Sequence, residues 1–539
     1  MLFNNTFKIK YSLMTPNPRR RLIYLLPLSG VAFSLPLSVW LLSLFTILTF
    51  AGWILSLEWR KTRLSESEKK YLLSFLLFYC VYLLWMLNTS DLKSGLAELR
   101  LKLPFLVFPL VFAYNQKPDR SELSAILNAF ILGMLISTIY GFVRGAGSVF
   151  SGQNDPRSLS PFISHIRLAL MTVFSIFSIV WLTGRSTGSK TIKVFYILAG
   201  AWFLVFLFIL LSLTGIIIFG IVLVISVSVS VFRSGNRLSR ILLPFAVFIV
   251  CLLSVLVILN EVRSFYHNGM AYPEPLESLS ANGNSYTHYP ERKDMENGNR
   301  VWVYLCEPEL KKEWNRISSI GYDSLDLAGQ EIRFTLIRYL TSAGLRKDSS
   351  GIAALNRSDM LNIEKGITNC YFTTWSPWRK KIYETIWQID YYRNGGNPSR
   401  HSLTQRLEFL RTGWHIFLSH PFLGAGTGDI PSVYARQYEK EKSRLEPAYR
   451  LLCHNQFLSF LVSFGLTGTV LICFAIFFPF FSSSSHSNYL CSVFFLIAVL
   501  SMLGEDTLET HAGITFFAYF YSLLLFTGNL DEKNCIKEN

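Results

Sequence analysis

The feature that most constrains this chain is a series of long apolar runs. The first covers residues 22–57 and contains Pro27 and Pro36, which break helices, so it predicts a hairpin of two helices. Further runs lie near residues 71–87, 103–114, 122–143, 161–183, 193–211, 215–232, 241–260, 456–481, 489–503 and 512–528. A helix needs about 20 apolar residues to cross the roughly 30 Å of hydrocarbon in a bilayer. The sequence therefore predicts an all-α polytopic membrane protein with about twelve transmembrane helices, among which the run 103–114 is the shortest.

The composition excludes a soluble protein of this length. Hydrophobic residues make up 51% of the 539 residues and charged residues only 16%. Lys and Arg favour the cytoplasmic side of a membrane. They number twenty in the short segments on the side of the N-terminus and five in those opposite. Both termini are therefore expected in the cytoplasm. Because this bias accounts for the net charge of +15, no nucleic-acid partner is expected.

The apolar runs divide the chain into four parts. Residues 1–260 form a predicted N-terminal membrane bundle of about nine helices, and residues 454–528 contribute about three more. Between helices nine and ten, residues 261–453 form a large, mainly helical outer segment, with helical patches around 328–345 and 378–392. Residues 529–539 form a predicted cytoplasmic tail.

The cysteines and acidic residues do not indicate a metal site. Cys306, Cys370 and Cys453 fall in the outer segment, so one disulfide at most can form there, and a Cys306–Cys370 bridge is one option. No C-x-x-C or His/Cys spacing suggests a metal. No acidic pair suited to glycoside hydrolysis is evident either. We therefore expect neither a metal nor another cofactor.

An amphipathic pattern lies in residues 401–430 of the outer segment. Its apolar residues recur at spacings of 4, 3, 4 and 3, which indicates one face of a helix: Leu403, Leu407, Leu410, Trp414 and Phe417. At roughly 100° per residue, Arg406 lies about 20° from Phe417. Arg406 is therefore expected to face the protein body or the membrane surface. The alternative is a structural arginine that extends past its neighbours or pairs with an acid.

A glycine-rich segment, GAGTG, follows Pro421 and contains Gly424, Gly426 and Gly428. It is not a dinucleotide-binding fingerprint, because the third glycine of that motif would fall on Asp429. It also lacks the Lys-Ser/Thr of a P-loop. Its backbone N–H groups could form an anion-binding nest, but a plain turn is the favoured interpretation.

Three basic side chains are predicted at the outer boundary of the membrane. Arg167 lies about two turns into the sixth span with His165 beside it, and His454 precedes the span at 456–481. An arginine within a span is costly and indicates function, although snorkelling to the interface is the alternative. Together with Arg406, two permanent cations and one imidazole suit a site that binds a diphosphate while a hydroxyl loses its proton.

The chain also resembles a known family in particular motifs. QRLEFLRTGWHIFLSHPFLGAGTGD, followed about twenty-five residues later by HNQFLSFLVSFGLTG, is similar to the O-antigen ligase/polymerase family of bacterial envelope enzymes. The similarity is most specific over 401–468. Weaker similarity to the Bacteroidetes-type members covers LRLKLPFLVFPL (99–110), HIRLAL (165–170) and GEDTLETHAGITFF (504–517).

This resemblance implies a polytopic glycosyltransferase of the GT-C type in the bacterial inner membrane. Its donor would be a glycan on undecaprenyl diphosphate, used on the periplasmic face, and its acceptor lipid A core or another glycan. If the roles of the family's motif residues apply at the matching positions of this chain, Arg406 would bind the diphosphate and His454 would accept the proton of the acceptor hydroxyl. Asn455 would support His454. Many members carry an arginine where this chain has Thr214, and Arg167 is the candidate substitute.

The acceptor and the reaction class stay open at this stage. A ligase acting on lipid A core, a polymerase of repeat units and a transferase acting on protein hydroxyls would share the donor. A flippase for the same lipid-linked sugar would also have many spans with few charges. The large outer segment and the scarcity of acidic residues deep in the helices favour the enzyme over the carrier.

Overall fold

The computed structural model describes residues 18–56, 58–60, 62–150, 155–185, 190–234, 237–267, 275–483 and 488–528. About 73% of the structure is helical. The predicted cytoplasmic tail, 529–539, lies outside the described residues, as do Lys8 and Lys10 of the N-terminal basic segment.

Twenty α-helices follow one another in the described part of the chain. The first ten are α1 (Pro18–Ser34), α2 (Val39–Ser56), α3 (Glu66–Leu84), α4 (Leu92–Leu101), α5 (Pro104–Ala113), α6 (Arg120–Phe150), α7 (His165–Arg185), α8 (Lys190–Ile209), α9 (Leu213–Ser234) and α10 (Arg237–His267). The others are α11 (Glu307–Ile317), α12 (Ile332–Ser342), α13 (Ser349–Ala353), α14 (Arg357–Glu364), α15 (Pro377–Arg393), α16 (Ser402–Ser419), α17 (Ile430–Lys440), α18 (Gln456–Ser482), α19 (Tyr489–Gly504) and α20 (His511–Thr527). Two short antiparallel strands, β1 (Met295–Glu296) and β2 (Asn299–Arg300), pair with each other.

Eight helices in the described residues are long and apolar enough to cross a membrane, namely α2, α3, α6, α7, α8, α9, α10 and α18. The shorter α1, α19 and α20 are also apolar. Every apolar run of the sequence coincides with a helix, and the hairpin predicted for 22–57 is the pair α1 and α2. An all-α polytopic membrane protein is thus confirmed. The total of twelve spans and the sidedness of the loops stay predictions.

The chain separates into two compact units. The first unit contains residues 1–233, 409–442 and 451–539, and the second contains 234–408 and 443–450. By this division α10 groups with the second unit. The predicted division into membrane bundle, periplasmic segment and C-terminal helices therefore differs from the compact units, and it stays a prediction.

The core of the first unit combines aliphatic side chains with many contacting aromatic rings. The ring of Phe105 in α5 stacks on Phe78 of α3 at 3.9 Å and on Phe517 of α20 at 5.5 Å. The short α5 is mostly buried and packs beside α3 and α20. It places Lys102, just before α5, next to the loop between α19 and α20.

The second unit has a separate core around Trp314 of α11 and Leu336 and Leu340 of α12, all fully buried. The predicted helical patches correspond to α12 and α15. Arg379 of α15 pairs with Glu261 near the end of α10 at 2.8 Å. Cys306 and Cys370 are both free thiols, so the disulfide considered from the sequence is not formed.

Candidate active site

His454 lies two residues before the start of α18. The side chain of the next residue, Asn455, holds this segment through one hydrogen bond to α18 and one to α19. Asn455 is the N-cap of α18, where its Oδ1 accepts from the Leu458 N–H at 2.9 Å. Its Nδ2 donates to the Leu503 carbonyl in α19 at 2.7 Å. Both contacts are to backbone, so Asn455 ties the start of α18 to the end of α19 and thereby positions the segment that carries His454.

Two carboxylates lie against the His454 imidazole. Its Nδ1 is 3.7 Å from Asp506 Oδ1 and 4.0 Å from Glu505 Oε2. Nδ1 is buried without a hydrogen-bond partner, and the Phe409 ring packs at 5.6 Å from the imidazole. A proton on Nδ1 would be stabilised by these two carboxylates, and the other ring nitrogen, Nε2, would then be the one able to accept a proton.

Arg167 of α7 contacts one of these two carboxylates, that of Asp506. Its Nη2 is 3.5 Å from Asp506 Oδ1, the oxygen nearest to His454. The side chain is only 16% exposed, and its Nε is buried with no hydrogen-bond partner. Asp506 therefore brings together the imidazole and the guanidinium, and a buried N–H donor of Arg167 is left unsatisfied. An anionic ligand is one way to satisfy such a donor.

His165 is the first residue of α7, two positions before Arg167. Side chains two positions apart point to different sides of a helix, so His165 and Arg167 do not share a face. Its supporting role stays a prediction.

A buried ion pair holds the loop that carries Glu505 and Asp506. Lys102 is fully buried, and its Nζ lies 2.6 Å from Glu509 Oε2 and 2.7 Å from the Leu508 carbonyl. Gln456 in the first turn of α18 joins the same group, since its Nε2 donates to Glu509 Oε1 and its Oε1 accepts from the Leu508 N–H. Glu98 Oε2 is farther from Lys102 Nζ, at 3.5 Å, so Glu509 is the nearer counter-ion.

The glycine segment and the two residues Pro421 and Phe422 before it form backbone hydrogen bonds with α18 where this helix is interrupted. Gly465 has a positive φ of 59° and interrupts the helix. At this break the N–H groups of Ala425 and Gly426 donate to the Val462 and Ser463 carbonyls, both at 2.9 Å. In return Leu466 and Thr467 donate to the Pro421 and Phe422 carbonyls. These bonds replace the helical hydrogen bonds that are lost at the break. The replacement matters because a backbone N–H or C=O group without a partner is costly within a membrane.

The three glycines of this segment are required by close backbone contacts. A Cβ at Gly424 would meet the backbone of α18 at Gly465, one at Gly426 would meet the Asn88 carbonyl, and one at Gly428 the Asp91 carbonyl. The N–H groups of Ala425 and Gly426 are already bonded within the protein. The structure therefore agrees with the plain turn rather than with an anion nest at these positions.

Arg406 lies in α16 and is half-buried. It belongs to the second unit and His454 to the first, so their proximity stays a prediction. The predicted apolar stripe of α16 is largely exposed, whereas its opposite face is buried, with Thr404, Phe409, Thr412 and Ile416. The periodicity identified the helix, but it could not tell which face the protein covers.

Sequence reasoning missed the acidic residues of the site. No carboxylate was among the predicted site residues, yet Glu505 and Asp506 lie together beside His454. Both are in GEDTLETHAGITFF, which carried only a weak family similarity. The signal was two adjacent carboxylates just after an apolar helix, and it gains meaning only when α18 and α19 are brought side by side.

The same three residues could hold a metal ion. The ligand atoms of His454, Glu505 and Asp506 lie within 4.8 Å of one another. Imidazole and carboxylate are suitable ligands for several divalent ions. However, the Arg167 guanidinium already lies near Asp506 Oδ1 and supplies a positive charge there.

The fold and this cluster define a polytopic membrane protein with a histidine, two carboxylates and an arginine at the ends of its helices. The family model described as O-antigen ligase matches residues 366–473. This match confirms the resemblance to an O-antigen ligase-like family. It includes Arg406, the glycine segment, His454 and Asn455, whereas Arg167, Glu505 and Asp506 lie outside it. A comparison with curated proteins finds no match to this chain.

Proposed function

We propose that the protein is an O-antigen ligase-like glycosyltransferase. It transfers a glycan from undecaprenyl diphosphate to a sugar hydroxyl of lipid A core on the periplasmic face of the inner membrane. The observation that carries this proposal is the position of Asp506 Oδ1, 3.7 Å from His454 Nδ1 and 3.5 Å from Arg167 Nη2. One carboxylate thus orients a base and the cation beside it.

The chemistry is a displacement at the anomeric carbon of the donor. The acceptor oxygen forms a bond to this carbon while the bond to the diphosphate oxygen breaks, so the configuration inverts. The acceptor proton passes to His454 Nε2, and the bonding electrons leave with undecaprenyl diphosphate. The carboxylates of Asp506 and Glu505 stabilise the resulting imidazolium, as in other carboxylate–histidine pairs.

The negative charge that grows on the leaving diphosphate needs fixed cations. Arg406 and Arg167 supply them in this proposal, because guanidinium groups bind phosphate oxygens in a bidentate way. The unsatisfied Nε of Arg167 supports its role. The start of α9 also comes close to α7, since a Cβ at Gly215, next to Thr214, would lie 2.6 Å from that of Ala169. Arg167 is therefore in the right part of the bundle to replace an arginine at position 214.

The depth of the site follows from the donor. Its polyprenyl chain stays in lipid while the diphosphate remains at the headgroup level. The reacting groups must then lie at the ends of the membrane helices. The position of His454 immediately before α18 and of Asp506 just after α19 fits this requirement.

The test of this function is deletion of the gene, followed by analysis of the envelope glycolipids. Loss of all long glycan with accumulation of the lipid-linked donor is the expected result. A single repeat unit left on the core would indicate a polymerase instead. Donor confined to the cytoplasmic face would indicate a flippase, and unchanged lipid glycans with loss of glycan from proteins would indicate a protein transferase.

The role of a metal is tested separately with purified protein in nanodiscs. If Arg167 and Arg406 neutralise the diphosphate, transfer continues after treatment with EDTA. Loss of transfer that Mg²⁺ or Mn²⁺ restores would assign His454, Glu505 and Asp506 to a metal ion.

A further inference from the structure

The helix α16 has its apolar side on the outside of the protein. Trp414 is 49% exposed and Leu418 56%, and the following Phe422 reaches 71%. With Leu410 and Leu423, these residues form what we call the outer apolar face. A contiguous apolar patch is unusual on a surface in contact with water. It marks a surface that a protein, a ligand or a membrane covers.

The rotation of α16 about its axis is fixed by contacts on the other side. Phe409, Thr412 and Ile416 are buried. Thr412 donates to Glu441 Oε2 at 3.3 Å, and His415 Nδ1 lies 2.7 Å from Glu441 Oε1. A rotation that buried Trp414 would break these polar contacts. The exposure of the outer apolar face is thus built into the packing of the first unit.

The outer apolar face continues into the surface of a membrane helix. The Pro421 and Phe422 carbonyls accept hydrogen bonds from Leu466 and Thr467 of α18. Beyond the break at Gly465, α18 exposes Leu466 and Val470, which are more than half accessible. Because α18 is long and apolar enough to span a membrane, these two side chains belong to the surface that lipid covers.

We infer that the second half of α16 lies in the membrane plane, with its outer apolar face in the acyl chains of the outer leaflet. Membrane lipid is the occupant that explains continuity with the lipid-covered side of α18. Trp is enriched at the membrane–water interface, at the level of the lipid headgroups. Helices with one apolar face also lie in this interface, parallel to the membrane plane. The exposed Arg411, to one side of the apolar row, is then within reach of lipid phosphates.

This placement bears on the active site but does not depend on the proposed function. Phe409 on the buried side of α16 packs against the His454 ring. A helix anchored in the interface would hold this imidazole at a constant depth in the bilayer, whatever reaction takes place there.

The test places single nitroxide labels on α16 of the full chain in liposomes, in a cysteine-free background that retains glycan transfer. Labels replace Trp414 and Leu418, and the matched control replaces Ser419, an exposed polar residue on another side of the helix. Labels at 414 and 418 should collide more with oxygen, which concentrates in lipid, than with a water-soluble nickel chelate. The label at 419 should show the reverse order.

A second measurement needs no cysteine changes. In vesicles of brominated phosphatidylcholine, Trp414→Phe should lower the fraction of tryptophan emission that the lipid quenches. Trp314→Phe, at a buried site of the second unit, should raise that fraction because it removes an unquenched residue.

Three outcomes would overturn the inference. Preferential collision with nickel at 414 and 418 would place this face in water. Low access to both reagents, with no lipid quenching of Trp414, would indicate that a protein covers it. Contact with lipid that appears only after addition of a polyprenyl diphosphate would show that the face binds the donor chain and not the bilayer.

Discussion

His454 Nδ1 lies 3.7 Å from Asp506 Oδ1, although one residue precedes α18 and the other follows α19. The same carboxylate oxygen is 3.5 Å from Arg167 Nη2 in α7. Three helix ends therefore meet at one oxygen atom. This arrangement connects the proposed base to one proposed phosphate ligand and leads to several measurable consequences.

Removal of the imidazole should abolish most of the catalysis without unfolding the protein. We expect His454→Ala to lower the rate of glycan transfer by about 10²–10⁴-fold, the usual contribution of a general base. His420→Ala, at an exposed histidine after α16, is the control and should retain activity. Transfer at the normal rate by His454→Ala would disprove the assignment of the base.

Neutralising Asp506 should affect the chemical step more than donor binding. Asp506→Asn keeps the size of the side chain but no longer stabilises an imidazolium, so kcat should fall while KM for the donor changes less. Glu505→Gln is the matched comparison, and its effect should be smaller because its oxygen is farther from Nδ1, at 4.0 Å. Equal rates in wild type and Asp506→Asn would contradict a role for this carboxylate.

A lysine should not replace the arginine at position 406. We expect Arg406→Lys to raise KM for the lipid-linked donor and lower kcat, since an ammonium group cannot bind two phosphate oxygens in the guanidinium geometry. Arg411→Lys on the exposed side of α16 provides the control. If both variants behave like wild type in transfer assays, Arg406 is a structural residue.

The buried pair of Lys102 and Glu509 should contribute to stability. Lys102→Met leaves Glu509 without its cation in the interior, a change that costs about 3–5 kcal/mol in buried pairs. Thermal unfolding in detergent should show a large decrease in Tm, which the double variant with Glu509→Gln should partly restore. Lys69→Met, which removes an exposed pair with Glu66, is the control and should leave Tm nearly unchanged, because solvent screens exposed pairs. A Tm of Lys102→Met as high as that of the control would argue against the pair.

Lys347 should make the stability of the second unit depend on pH. It is 2% exposed, and burial lowers its pKa to about 7, with Asp348 acting in the opposite direction. In the unfolded chain a lysine has a pKa of about 10.4. Between these values the unfolded state binds more protons, so this residue makes the protein more stable as the pH rises.

The matching variant, Lys347→Met, removes this penalty. Its gain in unfolding free energy over wild type, measured by urea denaturation, should be largest near pH 6 and vanish as the pH approaches the unfolded pKa. A difference that is the same at every pH would show that Lys347 does not titrate as proposed.

Much of the fold could be predicted because the bilayer imposes a local rule. Each apolar run had to be a helix, since only helices satisfy the backbone of a single segment within lipid. The rule acts on consecutive residues, so α1 and α2 could be identified from the run 22–57. This rule does not determine on which side of the membrane each loop lies, and it does not determine which helices pack against each other.

The sequence by itself determined the helices of the apolar runs, the candidates His454 and Arg167 and the turn at Gly424, Gly426 and Gly428, because local periodicity, composition and motif similarity carry that information. Only the tertiary structure decided that Asp506 joins His454 to Arg167, and that the apolar face of α16 points outward. Both depend on the packing of segments distant in the chain. No local pattern encodes which side of a helix its neighbours will cover.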